Sequence, residues 1–123
     1  MSKKILVMDD EQGVLLLLRT RFEKAGYEVF TADTGKEALE IAKNRHPDII
    51  ILDIIMPDID GGKIAEMLKE DHSTRDIPIV FLTCLITKKE EDAKGVHQMG
   101  GKYFIAKPYD PEEVLEVIKK HLG

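Results

Sequence analysis

The segment Ile49-Ile50-Ile51-Leu52-Asp53 constrains this chain more than any other. Its aliphatic run continues through Ile54, Ile55 and Met56 and is bounded by Pro47-Asp48 before and Pro57-Asp58 after. An apolar run of strand length between turn residues reads as a strand buried on both faces, and such strands belong in the middle of a parallel sheet. Asp53 stands where that strand leaves the core. Ligands of open α/β sheets bind at this end of the strands, and a carboxylate there needs a cation, donors or water.

The rest of the chain supplies the alternation a parallel sheet demands. Lys4-Ile5-Leu6-Val7-Met8 is a short strand running into Asp9-Asp10-Glu11. Val14, Leu17, Leu18, Phe22 and Ala25 recur at helical spacing, with Gly26 as the stop. Glu28–Ala32 reads as the second strand, and Thr34 with Glu37 forms a capping box for the second helix. After the central strand, Gly61 and Gly62 lead into a third helix marked by Ile64, Ala65, Met67 and Leu68. Pro78-Ile79-Val80-Phe81-Leu82 follows as the fourth strand, ending in Thr83, then a weakly apolar helix over Lys88–Gln98 with Ala93 and Val96 facing inward. Tyr103–Ala106 is the fifth strand, ending in Lys107-Pro108. Asp110 caps the last helix, with Pro111 at its first position and Val114, Val117, Ile118 and Leu122 on one face. Five strands alternating with helices predict a doubly wound α/β domain, a parallel sheet of order 2-1-3-4-5.

With 123 residues the chain suits one domain, taken as 1–123. Its net charge of −5 disfavours a nucleic-acid surface. The single cysteine, Cys84, excludes an internal disulfide. No apolar run is long enough to span a membrane and the start does not read as a signal peptide, so a cytoplasmic protein is expected.

The predicted topology gathers Asp9, Asp10, Asp53, Thr83 and Lys107 at the carboxyl ends of their strands. Three carboxylates in one crevice repel each other unless a positive charge stands between them. A hard divalent cation with oxygen ligands fits, Mg²⁺ in particular. Lys107 adds a point charge and Thr83 a hydroxyl donor. A metal, an ammonium and a hydroxyl around one aspartate make a phosphoryl-transfer site, with Asp53 the nucleophile.

These residues carry a resemblance over essentially the whole chain. Asp9-Asp10, the run Asp53-Ile54-Ile55-Met56-Pro57 with Asp60-Gly61 behind it, Thr83 and Lys107-Pro108 resemble, in order and placement, the receiver domains of two-component response regulators, the CheY-like family. The resemblance implies a flavodoxin-like (βα)5 three-layer sandwich. It implies that Asp53 accepts a phosphoryl group from a phosphohistidine of a sensor histidine kinase or histidine phosphotransfer protein. It further implies Mg²⁺ held by Asp10 directly, Asp9 less directly, Asp53 and the backbone carbonyl of Ile55. Lys107 would bind a phosphoryl oxygen, and its bond to Pro108 is expected to be cis. Thr83 and the aromatic Phe104 would switch the face built from the fourth helix, the fifth strand and the last helix for an unknown output partner, as a monomer or a phosphorylation-dependent dimer. Such a protein is a signalling switch that assists its own phosphorylation and dephosphorylation, not an enzyme acting on other substrates.

Some positions depart from the family pattern. Phe104 lacks the hydroxyl that tyrosine brings there, and strand alternation turns Tyr103 to the opposite face. Cys84 stands where a smaller residue is usual. Ile55 and Leu85, two residues after Asp53 and Thr83, are apolar and predict slow self-dephosphorylation. Leu15 and Leu16 exceed what one core-facing stripe needs and suggest docking onto a kinase's helical bundle.

Blander readings exist for each residue alone. Asp9-Asp10-Glu11 could cap a helix, Asp53 end a strand in a turn, Thr83 be a β-former and Lys107 a solvated charge. They explain the joint arrangement badly. The histidines His46, His72, His97 and His121 share no metal-ligand spacing. A haloacid-dehalogenase-like phosphatase would need a second acid two residues past the nucleophile, where Ile55 stands. A flavodoxin-like cofactor binder would need a Gly/Ser/Thr-rich loop after the first strand, where three acids would repel a phosphate. A degenerate receiver serving only as an interaction domain fits poorly with a complete set of acids, Thr83 and Lys107.

Overall fold

Strand β3 (Ile49–Asp53) is buried at all five positions and lies inside a sheet, as its sequence demands. The computed structural model describes residues 2–54, 61–83, 96–99, 102–106 and 110–122. In chain order these form β1 (Lys4–Met8), α1 (Gln12–Lys24), β2 (Glu28–Ala32), α2 (Gly35–Arg45), β3, α3 (Gly61–Glu70), β4 (Ile79–Thr83), β5 (Val96–Met99), β6 (Lys102–Ala106) and α4 (Pro111–Leu122). The sheet order is β2-β1-β3-β4-β6-β5. Its parallel strands β2-β1-β3-β4-β6 reproduce the expected 2-1-3-4-5 order.

β5 is a correction. The spacing predicts a helix over Lys88–Gln98, yet Val96–Met99 pairs antiparallel with β6; residues 88–95 lie outside the described ones. The edge of a parallel sheet presents a row of unpaired backbone groups. A strand that satisfies them outweighs the weak helical pattern of a segment with few apolar anchors.

Alternation along β3 divides the core in two. Ile49 and Ile51 join Ile5, Val7, Val80, Leu82 and Ile105 beneath α1 and α4, while Ile50 and Leu52 join Leu6, Met8, Ile79 and Phe81 beneath α2 and α3. That gives three layers, helix on sheet on helix.

The helix ends follow their local sequence. At the end of α1, Tyr27 N–H donates to Phe22 O at 3.2 Å and Gly26 N–H to Glu23 O at 3.0 Å, a Schellman motif with Gly26 at φ 98°. Thr34 Oγ1 accepts from Glu37 N–H at 3.2 Å, although the Glu37 carboxylate reaches back to Asp33 N–H rather than to Thr34. Asp110 caps α4 with two bonds, its N–H donating to Glu113 Oε1 and its carboxylate accepting from Glu112 N–H.

The face of α1 differs from expectation. Leu15, Leu18 and Phe22 are buried, whereas Leu16 is 67% and Leu17 49% exposed and Ala25 is exposed. In α3 it is Met67 that faces outward, with Ile64, Ala65 and Leu68 inward.

The loop from α3 to β4 is tied by its own side chains. Thr74, buried, donates its hydroxyl to Leu68 O at 2.7 Å, and Lys69 Nζ donates to Arg75 O. Asp71 accepts from both the hydroxyl and the N–H of Ser73, and these two bonds hold its carboxyl below the usual carboxylate range. A carboxylate lowered by folding contributes stability above its unfolded pKa, about 3.9, and that contribution is lost as pH falls through the lowered value. Urea midpoints measured between pH 5 and pH 2 (about the range that brackets carboxylate titration) are therefore expected to fall less steeply for Asp71→Asn than for wild type. Parallel curves would show that the Ser73 bonds leave no trace in stability.

Candidate functional site

The order of the sheet creates the site. Successive strands are laid outward in opposite directions from the β1/β3 pair, so the crevice at their carboxyl ends is the switch point. β1 and β3 are in register, Met8 opposite Leu52, so the residues that follow these rungs emerge side by side. Those residues are Asp9, Asp10 and Asp53. One carboxylate oxygen from each lies within 4.8 Å of the others.

Each is held differently. Asp9 is fully buried; its N–H donates to Ala32 O at 3.1 Å and its Oδ1 accepts from Glu11 N–H at 3.0 Å. Asp10 is exposed, at the mouth. Asp53, 6% exposed, is the last rung of β3, opposite Leu82 of β4, and the next N–H, that of Ile54, donates to Leu82 O at 3.2 Å. The strand end carrying Asp53 is thus tied to β4, whereas its pairing with β1 ends one residue earlier, at Leu52.

Three clustered carboxylates of one sign, two of them buried, suit a hard cation that takes oxygen ligands. Two carboxylates out of water repel strongly at this range unless such a charge is present. The donor set fits Mg²⁺.

The remaining residues expected here are placed in part. Thr83 closes β4 one rung beyond the partner of Asp53 and pairs with Ala106. The Thr83 side chain, Ile55, Cys84, Leu85, Lys107 and Pro108 lie outside the described residues. Phe104 pairs with Phe81 across β4 and β6, and their rings stack at 5.2 Å with 20° between planes. Tyr103 turns to the other face, as alternation requires, edge-on to His121 at 4.6 Å.

Two features of the site escape sequence reasoning. Gln12 Nε2 donates to Asp33 Oδ2 at 2.9 Å, joining the start of α1 to the loop after β2. Gly61 N–H donates to Ile54 O at 2.6 Å, which brings the first turn of α3 onto the end of β3. The sequence signals for the second are a glycine pair opening a helix and the place of Asp60-Gly61 in the family resemblance.

Comparison with known proteins agrees with this geometry. The family described as response regulator receiver domain matches residues 5–119. The polar-differentiation response regulator DivK of Brucella ovis is 33% identical over all of this chain and 98% of its own length. The alkaline phosphatase synthesis transcriptional regulatory protein PhoP of Bacillus subtilis is 36% identical over 97% of this chain, which spans 48% of PhoP. The solved structure of the chemotaxis response regulator CheY4 of Vibrio cholerae superposes with a TM-score of 0.81 at 27% identity, covering 98% of this chain and 99% of that one.

Proposed function

This chain belongs to the response regulator receiver domain family of two-component systems, and from that membership we propose that Asp53 is its phosphoacceptor. The observation that carries the proposal is the gathering of Asp9, Asp10 and Asp53 at the switch point. A carboxylate oxygen of Asp53 forms the new P–O bond while the P–N bond of a phosphohistidine breaks, and the imidazole nitrogen leaves with the electron pair. The donor is a sensor histidine kinase or a histidine phosphotransfer protein.

Asp9, Asp10, Asp53 and the Ile55 carbonyl would hold Mg²⁺, which when bound supplies positive charge against the phosphoryl oxygens. Lys107 takes up charge on the same oxygens, and Thr83 hydrogen-bonds one of them. The Thr83 shift then biases Phe104 and the β6/α4 face toward binding an output partner. Residues 1–123 act as a single receiver domain in the cytoplasm, where the proposed phosphohistidine donor would meet it. No described helix is long and apolar enough to cross a membrane. Its chemistry is confined to gaining and losing its own phosphoryl group. Intact mass after incubation with Mg²⁺ and acetyl phosphate tests the assignment: a gain of one phosphoryl group per chain supports it, and no gain removes it.

Leu16 and Leu17 extend this reading to the donor. They are exposed neighbours on α1, whose first turn follows the acid pair directly. Leu15, expected to share this role, is core instead. Burying two leucines on a helical-bundle partner is worth enough to change transfer about tenfold or more. The variant Leu16→Ser/Leu17→Ser is expected to lower kcat/KM for phosphotransfer from the cognate phosphohistidine protein by that factor and to leave acetyl phosphate labelling unchanged. Equal loss with both donors would place the effect in the site and not in docking.

A further inference from the structure

Gly61 is buried at the start of α3, against the backbone of the residue proposed to accept the phosphoryl group. A Cβ at this position would overlap the carbonyl oxygen of Asp53 and stand 2.8 Å from Ile54 Cα and 3.1 Å from the Asp53 carbonyl carbon. All three are backbone atoms, so no flexible side chain can swing aside. The need is one of space: Gly26 adopts positive φ (98°), whereas Gly61 does not.

Neither partner in this contact can yield easily. Ile64, Ala65 and Leu68 anchor α3 in the core at 0%, 4% and 1% exposure. β3 is anchored by its ladders to β1 and β4. Displacement therefore concentrates where anchoring ends, at Asp53 and Ile54. We propose that Gly61 is a positioning residue for Asp53, its missing Cβ letting α3 seat on the Asp53–Ile54 peptide and fix where the Asp53 carboxylate stands relative to Asp9 and Asp10. For phosphoryl transfer this rests on the reading of Asp53 as phosphoacceptor; for the cation it needs only the acid cluster.

Restoring ordinary contact requires a shift of several tenths of an ångström or more. Mg²⁺ demands near-ideal octahedral geometry, and misplacing a reacting group by about 1 Å costs up to about 10²-fold in rate. The test compares wild type, Gly61→Ala and Gly13→Ala in the full chain. Gly13 is a fair control because a Cβ there meets nothing within 4 Å. Mg²⁺ affinity is measured by calorimetry, acetyl phosphate labelling by intact mass, and folding by circular dichroism and urea.

The expected result is a folded Gly61→Ala whose Mg²⁺ Kd rises about fivefold or more and whose labelling at saturating Mg²⁺ slows about tenfold or more, with Gly13→Ala like wild type in both. The metal affinity decides. A folded Gly61→Ala with the wild-type Mg²⁺ Kd overturns the proposal. So does a Gly61→Ala that stays unfolded even when combined with Gly13→Ala, because Gly61 would then be needed for folding alone. Wild type that binds Mg²⁺ but gains no phosphoryl mass removes the phosphoacceptor reading, and the metal comparison still decides the positioning. Wild type that binds no Mg²⁺ overturns the positioning itself.

Discussion

Asp53→Asn is expected to abolish labelling by acetyl phosphate, a drop on the order of 10³-fold or more, while leaving the protein folded. Asparagine keeps the size and planarity of the aspartate but has no anionic oxygen to attack phosphorus. It also lowers the charge of the acid cluster from three negative groups to two. Since Asp9 and Asp53 are both buried and close, removing one charge relieves repulsion. In the absence of Mg²⁺ the variant should therefore unfold at an equal or higher urea concentration than wild type. Intact mass and urea unfolding read the two effects separately. Labelling of Asp53→Asn at the wild-type rate would move the phosphoacceptor to another residue. A large loss of stability would mean that the Asp53 carboxylate is a structural acceptor first.

Phe22→Ala is expected to cost about 3–5 kcal/mol, a large part of the roughly 5–15 kcal/mol that holds a domain together. Phe22 is fully buried among the residues that join α1 to the sheet and to α4. Its carbonyl also accepts the Tyr27 N–H that closes the helix, so the cavity opens at the point where the chain turns into β2. By contrast Leu17→Ala, on the exposed side of the same helix, should change stability by no more than about 0.5 kcal/mol. Urea midpoints at constant m-value distinguish the two. A Phe22→Ala cost near that of Leu17→Ala would contradict the packing of α1.

β3 was legible in the sequence because a run buried on both faces admits few alternatives, and placing β1 beside it brings Asp9, Asp10 and Asp53 together. α1 was legible as a helix but not in its rotation. Val14 to Leu18 are five apolar residues in succession, a pattern that fits several helical phases; contact with the sheet selects Leu15, Leu18 and Phe22. The segment at Val96–Met99 misled because its spacing is compatible with a helix, and only the unpaired edge of β6 makes a strand preferable. Gly61 was legible as part of a motif but not in its role, for a different reason. Its role lies in a distance to backbone carbonyl and Cα atoms eight residues or fewer away, and side-chain patterns carry no record of such distances.

The acids of the site sit at strand tips, outside both halves of the core, and they repel one another. Selection for folding therefore protects them less than it protects the core, although Asp9 Oδ1 accepts from Glu11 N–H. A descendant of this chain freed from its signalling duty would lose Asp9, Asp10 or Asp53 quickly while keeping Phe22, Ile51 and Leu52. Among present-day copies of this scaffold, intact acids at those tips thus measure continued use, whereas an intact core measures only survival.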